Sequence, residues 1–141
     1  MSHTKTIPDG YHSVQPYLIL KSAADAIDFY TRAFGAKERL RMAMPDGRIG
    51  HAEIEIGDSC IMMADEHPEI GAHSVQHFGG SPVSLMVYVE DCDASCARAI
   101  AAGAVSLREP EDEPEGRRTA VIQDPFGYLW IPSSPLKNRP S

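Results

Sequence analysis

The feature that most constrains this chain is a plan that occurs twice. Val14 to Leu20 reads as a strand and leads to a helix from about Ala23 to Phe34. Ala26, Ile27, Tyr30, Ala33 and Phe34 recur there at helical spacing, with Ser22 placed to cap the start and Gly35 to stop the end. Three strands follow: Lys37 to Met44, Gly50 to Ile56 after the Pro45-Asp46-Gly47 turn, and Ser59 to Ala64 after the tight Gly57-Asp58 turn. After a stretch rich in Gly, Pro and His the order returns. Val83 to Val89 is a strand, Asp93 caps a helix to about Ala102, and Gly103 ends it. Val105 to Arg108, Thr119 to Gln123 and Tyr128 to Pro132 are strands, with a charged loop from Glu109 to Gly116. Asp25-Ala26 matches Asp93-Ala94, and Gly35-Ala36 matches Gly103-Ala104, at an offset of about 68 residues. One such half buries its helix and sheet face poorly, so two are expected to combine.

The expected fold is therefore α+β, with two tandem βαβββ modules and helices outside the sheets. The boundaries read as a flexible arm over 1–12, a first module over 13–66, a linker over 67–81, a second module over 82–132 and a loose tail over 133–141. Charge narrows the partners. Lys+Arg number 13 against 20 Asp+Glu, a net charge of -7, and no basic run is present, which argues against nucleic acid. No apolar stretch approaches the ~20 residues of a membrane span, and Met1 to Tyr11 lacks an apolar signal core, so the cytoplasm is the expected location. Cys60, Cys92 and Cys96 are odd in number and form no CxxC pair. They read as small buried side chains in a reducing compartment.

Strand periodicity sorts side chains between faces. Pro16, Leu18 and Leu20 share one face of the first strand, and Gln15, Ile19 and Tyr17 the other. A two-residue turn at Gly57-Asp58 sets Ile56 opposite Ser59, Ile54 opposite Ile61 and Glu53 opposite Met62. Ala52, Ile54, Ile61 and Met63 then form the apolar face. His51, Glu53, Glu55, Cys60, Met62 and Ala64 form the other. In the second half Leu85, Val87 and Val89 are apolar, opposite Ser84, Met86 and Tyr88. The resulting concave inner face carries Gln15, Tyr17, His51, Glu53, Met62, Ser84, Met86 and Tyr88, a mixture that suits a small organic molecule. His51, Glu53 and Glu55 also read as the solvated side of a half-exposed sheet. In an apolar surrounding Glu53 is expected to have a raised pKa and to accept a proton, with His51 beside it.

Several motifs resemble a known family. Gln15-Pro16-Tyr17-Leu18, Ala26-Ile27-Asp28-Phe29-Tyr30 and Phe34-Gly35-Ala36 are similar to the opening of a vicinal oxygen chelate protein, the glyoxalase, bleomycin-resistance and extradiol-dioxygenase superfamily. The run from Pro45 to Glu53, the stretch from Met62 to Glu66, Tyr88-Val89-Glu90-Asp91 and the ending Asp124-Pro125-Phe126-Gly127-Tyr128-Leu129-Trp130 resemble its PhnB-like branch. The resemblance implies paired modules curled into a cup that holds a small-molecule substrate, often with a divalent metal, in a homodimer. It places metal ligands on the first and last strand of each module. Those four slots fall here on Gln15, Met62, Ser84 and Ile131. A thioether and a hydrocarbon are not ligands for Ni²⁺, Zn²⁺ or Mg²⁺, so the usual metal site is expected to be lost. Gln15, His51 and Glu53 are the residues from which a displaced site could be built.

Two functions follow. One is a binding protein that clasps a small organic molecule without metal, through Gln15, Tyr17, Met62, Ser84, Met86, Tyr88, Arg118 and Ile131. The other is a lyase, isomerase or dioxygenase that uses a displaced metal or a bare His51/Glu53 acid–base pair. Arg118, which with Arg117 lies near the cup mouth in this family, is a candidate anion anchor; it also reads as a rim cation balancing Glu109 to Glu115. His67, His73 and His77, beside Asp65 and Glu66, read as exposed loop histidines or an adventitious metal cluster.

Overall fold

Ser22 and Gly35 bound helix α1 (Ala23–Phe34) as its sequence expects. The Ser22 hydroxyl accepts from the Asp25 amide at 3.2 Å, and Gly35 ends the helix in the left-handed region at φ 69°. The computed structural model describes residues 5–136. It divides them into two units, one running to Thr31 and over Gly35–Ser74, the other comprising Arg32–Phe34 and the chain from Val75 on.

In the first unit β1 (Tyr17–Leu20), β2 (Lys37–Ala43), β3 (Ile49–Ile56) and β4 (Ser59–Asp65) form a sheet of order β1-β4-β3-β2. β1 lies parallel to β4, and the other pairs are antiparallel. The hairpin register is the one its turn length requires, with Ile54 opposite Ile61 and Glu53 opposite Met62. Ala52, Ile54, Ile61 and Met63 are buried. β1 starts three residues later than Val14. Pro16 has no N–H for the ladder, although its carbonyl still accepts from the Met62 amide at 2.9 Å. Asp65, at the end of β4, accepts from the Ala23 amide at 2.6 Å and the Ile49 amide at 2.7 Å. One carboxylate thus ties the last strand to the start of the helix and to β3.

Between the modules, Pro68–Ile70 forms a single 3-10 turn and α2 (Val75–Phe78) a short helix. His67 pairs with Glu69 at 2.8 Å. In the second unit β5 (Ser84–Tyr88), α3 (Cys92–Ala101), β6 (Val105–Asp112), β7 (Arg117–Gln123) and β8 (Leu129–Pro135) repeat the plan, with sheet order β5-β8-β7-β6. α3 packs on β6, β7 and β8. Its cap is Asp91, whose carboxylate accepts from the Ala94 amide at 3.1 Å; Asp93 sits in the first turn and takes Arg118 instead. β6 continues through Glu109 and Glu111, read from sequence as loop, because antiparallel pairing with β7 holds an exposed charged strand past two register shifts. β8 continues to Pro135, beyond the expected boundary at 132, and residues 137–141 of the expected tail lie outside the described residues, as do 1–4 of the arm.

All three cysteines are free and buried. Burial pushes the Cys96 thiol up to about 12, with Cys92 adding to the effect. Asp124 is the buried anchor of the last turn. It accepts from the Phe126 and Tyr128 amides and from Trp130 Nε1, each at 2.9 Å. Trp130 in turn packs on Phe34, ring centroids 4.9 Å apart. Gly127 has φ +97°, and a Cβ there would lie 2.9 Å from Val75 Cγ1. Asp124→Ala leaves these donors without an acceptor and should lower unfolding free energy by about 3 kcal/mol in urea titration; a loss below about 1 kcal/mol would show that water replaces the carboxylate.

Candidate functional site

The centre of the first sheet holds a chain of polar groups. His51 and Glu53 lie on one face of β3 because they are two residues apart. His51 Nε2 meets Glu53 Oε2 at 2.8 Å, and His51 Nδ1 meets the Tyr17 hydroxyl at 2.9 Å. The Tyr11 hydroxyl donates to Glu53 Oε1 at 2.5 Å, and Cys60 Sγ approaches the same oxygen at 3.8 Å. Arg39 stacks on the Tyr11 ring at 4.6 Å and donates to the Gly10 carbonyl at 3.1 Å. The segment read as a flexible arm is therefore fastened at Tyr11 to the sheet.

Burial is deepest in the middle of this chain. Glu53, between Tyr11 and His51, is only 4% exposed, whereas Tyr17 is 48% exposed and Met42, which pairs with His51 across strands, is 60% exposed. His51 is half-buried, and Tyr17 is the exposed end. The expectation of a raised Glu53 pKa is corrected here. Burial does push it up, but hydrogen bonds from Tyr11 and His51, with the charges of His51 and Arg39, outweigh burial and hold it below its ordinary 4.5. Tyr11 is pushed up by its bond to Glu53, and Tyr17 by burial and then by the Glu53 charge. Glu53 is thus an ionised, fully bonded carboxylate that orients His51, and it is not poised as a base.

The family's metal slots were tested against this geometry. Tyr17 pairs with Met62, and Met86 with Ile131, so the last-strand slots present a thioether and a hydrocarbon. Gln15 precedes β1, and its Oε1 accepts from the His12 amide at 2.6 Å. Ser84 begins β5. The displaced set fares no better: both His51 nitrogens and both Glu53 oxygens are engaged within the protein. Among the described residues no three His, Cys, Asp or Glu side chains are placed to hold a metal ion. The residues present do not fit the group that the family often carries.

Met86 and Tyr88 lie in the second unit, on an open depression of about 440 Å³ that Glu115, Arg117, Thr119 and Ser133 complete. Arg118 is not among its walls. It donates to Asp93 at 2.6 and 3.1 Å and to Asp112 at 2.8 Å. Sequence reasoning passed over Arg117, although the signal was there. Ala120 and Ile122 are buried, so period two puts Arg118 with them and Arg117 on the opposite face. For Tyr11 no comparable signal exists, because its bond to Glu53 joins segments forty-two residues apart.

Replacing Tyr11 by Phe removes the strongest bond holding Glu53 down. Its carboxyl titration, followed by ¹³C NMR, should move upward. A depressed carboxylate contributes stability above its unfolded value, and that stability is lost as pH falls through the folded value. The wild-type contribution should therefore be complete above pH 4.5 and fade below it, whereas in Tyr11→Phe it should be smaller and be exhausted at a higher pH. An unchanged titration would remove Tyr11 from the network.

Comparison with known proteins agrees with this geometry. Residues 11–131 match the Glyoxalase/Bleomycin resistance protein/Dioxygenase superfamily. An uncharacterised protein of Mycobacterium bovis is 38% identical over 128 residues, covering 89% of this chain and 84% of its own. The crystal structure of an Arabidopsis thaliana gene product superposes with TM-score 0.70 at 28% identity, over 88% of this chain and 99% of that one. A PhnB protein from Bacillus cereus shares the fold, with TM-score 0.66 at 16% identity over 87% and 99% of the two chains. On the match across both modules, this chain belongs to the glyoxalase, bleomycin-resistance and dioxygenase superfamily.

Proposed function

We propose that the protein binds a small organic molecule at the open side of its first sheet, without a metal, through the Tyr17–His51 pair. The observation that supports this reading is the gradient of the polar chain: Glu53 is buried with both oxygens hydrogen-bonded, and beyond His51 the chain ends on the exposed Tyr17. An ionised Glu53 favours the His51 tautomer with hydrogen on Nε2, an assignment that rests on the network. Nδ1 then accepts the Tyr17 proton, and the phenolic oxygen is left to accept from a ligand N–H or O–H. The Tyr17 ring and the Met42 thioether offer apolar surface beside it. Binding is favoured over proton transfer because both His51 nitrogens are already engaged, one by Glu53 and one by Tyr17. The reading includes a cytoplasmic homodimer, which would cover exposed Leu107.

A second reading, a lyase or isomerase step with His51 as the base, draws on one specific observation. The 2.8 Å carboxylate–imidazole contact is the orienting half of many acid–base sites. Turnover of a vicinal-oxygen substrate that disappears in His51→Ala would support it.

The test of the binding reading is a thermal-shift and calorimetric panel of phenols, amides and bleomycin. At least one compound should bind wild-type protein, with affinity reduced roughly tenfold or more in His51→Ala and Tyr17→Phe. Equal affinity in the wild type and both variants would overturn the site.

A further inference from the structure

We propose that the depression on the second sheet binds a small amphipathic carboxylate, with Arg117 as its anion anchor. Arg117 is held in place by neutral groups. Its Nε donates to Ser133 Oγ at 3.1 Å and its Nη2 to the Ser133 carbonyl at 3.2 Å, while the guanidinium sits 5.1 Å over the Tyr88 ring. These contacts fix the plane of the fork yet leave both Nη1 protons and one on Nη2 for a ligand. No carboxylate of the described residues pairs with it, although the chain carries 20 acidic residues against 13 basic ones. The neighbouring Arg118 shows the contrast, since Asp93 and Asp112 neutralise it. An arginine oriented by a hydroxyl, a carbonyl and a ring, but lacking a counter-ion, matches the bidentate geometry of a carboxylate.

The rest of the depression selects among carboxylates. Met86 is 53% and Tyr88 73% exposed, so both present a thioether and a ring face to whatever lies there. Thr119 and Ser133 form the buried floor. Glu115 is exposed and also lines the depression, so among the described residues Arg117 is the one cation of the lining and a second ligand carboxylate would have no positive partner there. The ligand class is therefore a singly charged carboxylate with a flat or branched apolar body.

The site is read by ¹H–¹⁵N NMR titration of the full chain with sodium benzoate, using benzamide as neutral isostere and isophthalate as dianion. Benzoate should give saturable shifts at the Met86, Tyr88 and Thr119 amides and at Arg117 Nε–H. Benzamide should bind roughly tenfold or more weakly, as should benzoate to Arg117→Gln. Met86→Glu, with a like charge in the depression, should also weaken benzoate, and Arg98→Gln, which removes an exposed charge on α3 outside the depression, should not. If Arg117→Gln fails to fold, the benzoate-to-benzamide ratio on the wild type decides alone. Equal binding of benzoate and benzamide, undiminished binding to folded Arg117→Gln, or no saturable shift at these amides would overturn the proposal. Tighter binding of isophthalate than of benzoate would overturn the single-charge assignment. Every readout residue belongs to the second unit, so this test succeeds or fails apart from the Tyr17–His51 reading.

Discussion

Parallel pairing of the first and last strand in each module is the constraint on which the rest of the structure depends. Parallel neighbours need a long crossover, and the helix with two further strands supplies it. The register is the same in both copies: Tyr17 faces Met62, and Met86 faces Ile131, each pair displaced by 69 residues from the other. Both modules close with the same clasp. A side-chain oxygen at the end of the last strand accepts from the first amide of the helix, Asp65 from Ala23 and Ser134 from Cys92. A carboxylate and a hydroxyl do one job because either accepts a bond from an otherwise unpaired helix-terminal N–H.

With the register set, period two decides which side chains meet the helices and which face the open side. The open face then differs between the copies. In the first, a buried glutamate orients a histidine toward an exposed tyrosine. In the second, serine and tyrosine hold an arginine. One plan thus carries two different polar arrangements, set by a few side chains on the open face.

Much of this was legible in the residues. The bounds of α1, the hairpin register at Gly57-Asp58 and the mixed face of His51, Glu53 and Met62 follow from capping, turn length and alternation, all local effects. The ends of elements were less legible. β6 runs through Glu111 and β8 to Pro135 because a partner strand supplies hydrogen bonds that no local propensity announces. The helix cap at Asp91 competed with an equally good candidate, Asp93, two residues on, which Arg118 occupies.

The sequence by itself determined the duplicated plan and the family, since these depend on residue type, spacing and order. Only the tertiary structure decided the charge state of Glu53 and the division of labour between Arg117 and Arg118. Burial alone would have raised Glu53. The contacts that reverse this come partly from Tyr11, forty-two residues away in the chain. An ionisable group responds to whatever folding brings within a few ångströms of it, and that neighbourhood is not written in its local sequence.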